Sequence, residues 1–94
     1  MPYMLVRITL NNFSQWKAAW DSAEQVQIRK AYGCISARVF HGYESTREAV
    51  ILMEWEDIPQ AKEFGISDEL RDLMHHTGGA GRPDVLYMDE VTRS

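Results

Sequence analysis

The sequence predicts an α+β fold of element order β-α-β-β-α-β, a four-stranded antiparallel sheet with its helices on one face. Three observations carry that prediction. The run from Glu48 to Asp57 is the one long apolar stretch and reads as a central strand ending in a charged turn. Period-two alternation recurs in three other segments, at Tyr3–Leu10, Cys34–Tyr43 and Asp84–Val91. Helically spaced apolar residues fill the intervals after the first and third of these strands, whereas strands two and three are joined only by the polar Glu44-Ser45-Thr46-Arg47.

In the first strand Met4, Val6, Ile8 and Leu10 share one side and Tyr3, Leu5, Arg7 and Thr9 the other. Asn11-Asn12 then supplies a turn and an N-cap, because an Asn side chain accepts from the free amides of a helix's first turn. Phe13, Trp16, Trp20, Ala23 and Gln27 follow at helical spacing, and one helix is expected to run to Tyr32, with Gly33 as its left-handed cap. In strand two Ile35, Ala37 and Val39 alternate with Ser36, Arg38 and Phe40, and Gly42 marks a bend or bulge near its end. In the central strand Val50, Leu52 and Glu54 point one way, and Ile51, Met53 and Trp55 the other.

Pro59 suits the first turn of a short helix containing Ala61 and Phe64, which breaks at Gly65-Ile66. Ser67 caps the next helix, whose Asp68 and Glu69 sit favourably against its dipole and whose apolar edge is Leu70, Leu73, Met74 and Thr77. Residues 78–83 read as a glycine-rich link, with the hinge of a lid as one use. In the last strand Val85, Tyr87 and Asp89 alternate with Leu86, Met88 and Glu90. The arrangement is ferredoxin-like. Both faces of the central strand carry large apolar residues, and the helices of so short a chain cover one face, so a second copy is expected on the other.

Residues 1–94 are expected to form a single domain, and at 94 residues one core is marginal. A composition of 45% hydrophobic and 11% aromatic residues supplies that core with apolar surface to spare. A net charge of −4 without a Lys/Arg cluster argues against nucleic acid as a partner. The lone Cys34 cannot form an intramolecular disulfide and fits a reducing compartment; its plain reading is a buried strand position. The N-terminal residues lack signal-peptide architecture and no run approaches a membrane span, so a cytoplasmic protein is expected.

Four segments carry a resemblance: Asn12-Phe13-Ser14-Gln15-Trp16-Lys17, Val50-Ile51-Leu52-Met53-Glu54-Trp55, Ser67-Asp68-Glu69-Leu70-Arg71 and Pro83-Asp84-Val85-Leu86-Tyr87. Through them nearly the whole chain resembles the dimeric α/β-barrel superfamily and, within it, the small antibiotic-biosynthesis-monooxygenase-like proteins. The resemblance implies two sheets packed face to face, helices outside, and a pocket in each protomer between sheet and helices. It covers cofactor-free quinol oxygenases, haem-degrading enzymes and proteins without assigned activity, and fold does not choose among them. The haem-degrading branch uses an asparagine on strand one, a tryptophan in the short helix and a histidine in the next helix. A gap-free alignment places Val6, Phe64 and Met74 there, three departures that disfavour haem. His75 is one residue, about 100° of helix, past the ligand position, and His75 or His76 could reach an iron only in another pose.

Several residues are candidates for chemistry. His75 and His76 are adjacent on a helix and point apart, so they do not form an i, i+4 metal pair; a solvated helix end, with Asp72 as partner, stands beside a pocket acid or base. His41 is a lone strand-end histidine that could orient a phenol if it faces a pocket. Glu54 shares a face with Val50 and Leu52, and if that face is covered, loss of water would make the carboxylate a stronger proton acceptor; the alternative is a salt bridge to Arg38 or Arg7. Trp16, Trp20 and Phe64 are either core or a stacking wall for a flat ligand, and Tyr43 and Tyr87 either donate to a ligand oxygen or rim a dimer. The glycine-rich stretch lacks a P-loop lysine, and neither a Ser-His-Asp arrangement nor metal-ligand spacing is present.

Two functions follow. The first is a homodimeric, cofactor-free oxygenase acting on a small aromatic or quinol compound. Glu54 or His75 would be its base, and Trp16, Trp20, Phe64, Tyr87 and Arg38 its substrate contacts. The second is a non-catalytic dimer that binds a small apolar ligand or acts as an accessory protein.

Overall fold

The computed structural model describes the backbone of residues 2–76 and 79–94 and the side chains of residues 2–74 and 83–94. Its elements are β1 (Pro2–Leu10), α1 (Phe13–Trp20), α2 (Ala23–Tyr32), β2 (Cys34–His41), β3 (Glu48–Trp55), α3 (Ile58–Gly65), α4 (Asp68–His76) and β4 (Gly79–Asp89). The four strands form one antiparallel sheet in the order β2-β3-β1-β4, which is the expected ferredoxin-like arrangement.

The strand pattern sorts the side chains into two faces. Met4, Val6, Ile8 and Leu10 of β1 and Ala49, Ile51, Met53 and Trp55 of β3 are buried beneath the helices. Trp16 and Trp20 of α1, Ala61 and Phe64 of α3, and Leu70, Leu73 and Met74 of α4 close over them. Aromatic contacts run through this layer. Trp16 and Trp20 stack at 5.3 Å, and Phe64 lies 5.1 Å from Trp55 and 5.5 Å from Tyr32 between ring centroids.

Three expectations are corrected. The long helix after β1 is two helices, broken at Asp21–Ser22. The Ser22 hydroxyl accepts from the Gln25 amide at 3.3 Å and caps a new helix there. The glycine-rich stretch is not a link or a hinge: its backbone from Gly79 onward belongs to β4, where Gly79 and Ala80 pair with Leu10 and Thr9. β4 is an edge strand, and Pro83 is tolerated in an edge because its missing amide need not meet a partner. Thr77 and Gly78 lie outside the described residues. The irregularities of the sheet fall between Arg7 and Thr9 and between Cys34 and Ser36 rather than at Gly42, which lies beyond β2 and donates to the Glu48 carbonyl at 2.8 Å.

The other caps follow the sequence. Asn12 accepts from the Gln15 amide at 2.9 Å, Asp57 from Gln60 at 2.9 Å, and Ser67 Oγ from Leu70 at 3.2 Å. Gly33 closes α2 at φ 102°, in the left-handed region that side chains disfavour.

Two tests of this packing follow. Phe64→Ala removes a fully buried ring and should cost about 3–5 kcal/mol in urea unfolding, whereas Tyr43→Ala at an exposed loop tip should change stability by about 0.5 kcal/mol or less. A Cβ at Gly65 would run into Tyr87 Oη and lie 3.3 Å from Met4 Cε, so Gly65→Ala should destabilise by about 1–3 kcal/mol. Adding Tyr87→Phe, which deletes the clashing oxygen, should restore part of that loss.

Candidate functional site

The sheet face turned away from the helices is built in rows, because directly opposed residues of antiparallel strands share a face. One row is Ser36, Glu54, Tyr3 and Met88; the next is Arg38, Leu52, Leu5 and Leu86; the third is Phe40, Val50, Arg7 and Asp84. Phe40 and Leu86 are 49% and 55% exposed, so the middle of this face is an open apolar surface.

At its end lies a groove of about 680 Å³, lined by the first row together with Arg38, Leu52, Asp89 at the end of β4, and Glu90 and Arg93 beyond it. Leu52 and Met88 give it an apolar floor. Glu54 accepts from the Ser36 hydroxyl at 3.5 Å, a long hydrogen bond. Tyr3 lies directly across from Glu54. Arg38 is a diagonal neighbour of Glu54, a separation of about 7–8 Å that long side chains span.

The salt bridge anticipated for Glu54 goes elsewhere. Arg7 pairs with Glu48 at 3.1 Å, and Arg38 has no ion-pair partner within 4.0 Å among the described residues. Arg93 is held by Glu90 through its Nε at 2.9 Å, and that hydrogen bond, followed by the attraction of the same carboxylate, raises the Arg93 pKa. The groove thus joins a carboxylate with free acceptor capacity, an unpaired guanidinium and a phenol over an apolar floor.

The expected site residues divide between the two sides of the sheet. Glu54 and Arg38 lie on the open face. Trp16, Trp20 and Phe64 are buried on the helix side, where they fill the layer expected to hold a pocket. Tyr87 faces the same side, opposite Met4, with Lys62 Nζ 5.9 Å from its ring centroid, and burial raises the pKa of its hydroxyl. A ligand touching Glu54 therefore does not touch Trp16, Trp20 or Phe64 of the same protomer. His75 belongs to α4 by its backbone, and its side chain lies outside the described residues. His41 packs edge-on against Phe13 at 5.2 Å, away from the groove, and Tyr43 is fully exposed in the hairpin loop.

Tyr3, Ser36, Met88 and Arg93 joined the site without having been singled out. The first three follow from the pairing register, which alternation within a single strand does not supply; no local pattern marks Arg93.

Among the described residues neither metal nor haem finds a matching constellation. Among the described residues no group of three or more His, Cys, Asp or Glu side chains is placed to hold a metal ion. Val6, Phe64 and Met74, which the resemblance sets against the asparagine, tryptophan and histidine of haem-degrading proteins, are all core residues, so among the described residues that pattern is not matched. No helix among the described residues is long and apolar enough to cross a membrane.

No family model matches the chain, and no curated protein does. Solved structures do. One of an antibiotic biosynthesis monooxygenase superposes with a TM-score of 0.73 at 14% identity, over 98% of this chain and 100% of that one. A monooxygenase from the ActVA-Orf6 gene of Streptomyces coelicolor, in complex with nanaomycin D, gives 0.75 at 17% identity, over 99% and 89%. SnoaB, a cofactor-independent oxygenase of Streptomyces nogalater, gives 0.69 at 7% identity, over 98% and 94%. Identities this low speak to fold alone. The fold is thus similar to that of antibiotic biosynthesis monooxygenases of known structure.

Proposed function

We propose that the protein is a cofactor-free oxygenase acting on a small aromatic or quinol compound bound in the open-face groove. One observation carries this reading: in a fold shared with oxygenases, Glu54, Arg38 and Tyr3 converge on a groove of about 680 Å³ with an apolar floor. Glu54 takes a phenolic proton, and Arg38 stabilises the oxyanion left behind. The anion is electron-rich enough to react with dioxygen. One oxygen atom enters the substrate as a carbonyl at a ring carbon, and the other leaves as water with that carbon's hydrogen and the proton held by Glu54, so the substrate itself supplies the electrons. The groove has to exclude water for this chemistry. A second copy of the chain, seated on the Leu5, Leu52 and Leu86 row, supplies that cover and makes the working unit a homodimer.

A second placement has its own support. Trp16 Nε1 and Trp55 Nε1 are buried without a hydrogen-bond partner among the described residues, and unpaired buried donors favour a ligand oxygen in the helix-side layer. There Trp16, Trp20, Phe64 and Tyr87 would hold the ring.

Oxygen uptake with hydroxyanthrones and naphthoquinols separates these readings. Glu54→Gln should lower kcat by about a hundredfold or more, the usual contribution of a positioned base, while binding persists. Arg38→Met should weaken substrate by roughly tenfold. Activity that survives Glu54→Gln but falls with Trp16→Phe would move the reaction to the helix side. No uptake by the wild-type protein with tight quinone binding would make it a ligand-binding protein instead. Leu86→Lys should shift the native mass from dimer to monomer, because it sets a charge in the middle of the covering face.

A further inference from the structure

A second groove, of about 180 Å³, lies between α2 and the outer edge of β2, lined in part by Arg29, Lys30, Cys34 and Ser36. Arg29 is its unusual member. It is only 8% exposed, yet no carboxylate lies within 4.0 Å of it among the described residues. Its Nη1 donates to the Trp20 carbonyl at 3.0 Å, and its guanidinium carbon lies 3.9 Å from the centroid of the Trp20 ring. Those contacts use one of the five donors of the guanidinium and one of its faces.

Trp20 ends α1, so Arg29 also caps that helix, which explains its approach to the carbonyl. A cap is satisfied by one hydrogen bond and leaves the charge uncompensated. Asp21, the acid that acts on Arg29 from a distance, is exposed and already paired with Lys17. Burial lowers the Arg29 pKa, the direction expected of a cation short of counter-charge. Lys30 adds a second cation, and no acidic residue among the described ones lines the groove. β2 is an edge strand with its register irregularity between Cys34 and Ser36, so the outward amides of this stretch have no strand partner.

We propose that this groove binds a small oxygen-bearing anion, a carboxylate or an inorganic oxyanion, on the free donors of Arg29 with Lys30 beside it. The guanidinium fork matches both anions, and the volume admits a charged head but not a polycyclic ring. The bound anion supplies the counter-charge that the fold omits.

Cys34, the sole cysteine, reports on occupancy because its half-buried thiol lines the groove and donates to the Ser36 carbonyl at 3.3 Å. The full chain is titrated with inorganic phosphate and, separately, acetate at constant ionic strength. Modification of Cys34 by N-ethylmaleimide and backbone amide shifts by NMR are followed together. The expected result is a saturable slowing of modification by at least one of the anions, with shifts confined to α2 and the start of β2. Arg29→Gln should weaken that binding by roughly tenfold or more, and Lys30→Met by less. A response to phosphate alone assigns an inorganic oxyanion site, and a response to acetate a carboxylate site. Should Arg29→Gln fail to fold, Lys30→Met and the wild-type shift map decide. No saturation with either anion, shifts elsewhere in the protein, or binding unchanged by the substitution that folds would overturn the proposal.

Discussion

A four-stranded sheet has two faces, and the helices of this 94-residue chain cover one of them. The rest of the molecule follows from that constraint. The β3 strand carries Ala49, Ile51, Met53 and Trp55 into the covered layer while Val50, Leu52 and Glu54 remain on the other side. The other three strands continue the division, so the second face becomes a surface of Leu5, Leu86 and Phe40 bordered by charge. A surface of that kind in a small protein invites a partner, and self-association is the most economical source of one.

The same division separates chemistry from packing. On the helix side the large aromatics are in mutual contact, and the indole donors of Trp16 and Trp55 have no partner among the described residues, which is the behaviour of a tightly filled layer. On the open side the polar groups are spread around a space. Ser36 approaches Glu54 only at 3.5 Å, and Arg38 is not neutralised by a described neighbour. Covering such a face removes water from groups that still have unmet hydrogen-bonding capacity, so a ligand that satisfies them gains more than it would at an exposed surface.

Much of this was legible in the sequence because it rests on local rules. Alternation placed Ile51, Met53 and Trp55 together and opposite Glu54, and Asn12, Pro59 and Ser67 announced three helix starts. The break at Ser22 had a signal too, a serine followed three residues later by glutamine, but Trp16, Trp20 and Ala23 keep helical spacing across it and hid the boundary. The glycines before Pro83 looked like a link because their composition favours turns, whereas pairing with Leu10 and Thr9 draws their backbone into an edge strand. The candidate site was half legible. Glu54 and Arg38 were identifiable as residue types on the right strands, but grouping them with Trp16, Trp20 and Phe64 ignored the sheet between them, and finding Tyr3 or Arg93 required the register itself.

The central claim is that the functional groove lies on the open face of the sheet. A crystal structure with a bound hydroxynaphthoquinone tests it most directly. The account predicts a ligand oxygen within hydrogen-bonding distance of Glu54 or Arg38, its ring over Leu52 and Met88, and the sheet of a second copy closing the site. A ligand held between α1 and the sheet, stacked on Trp16 and Trp20, would contradict it.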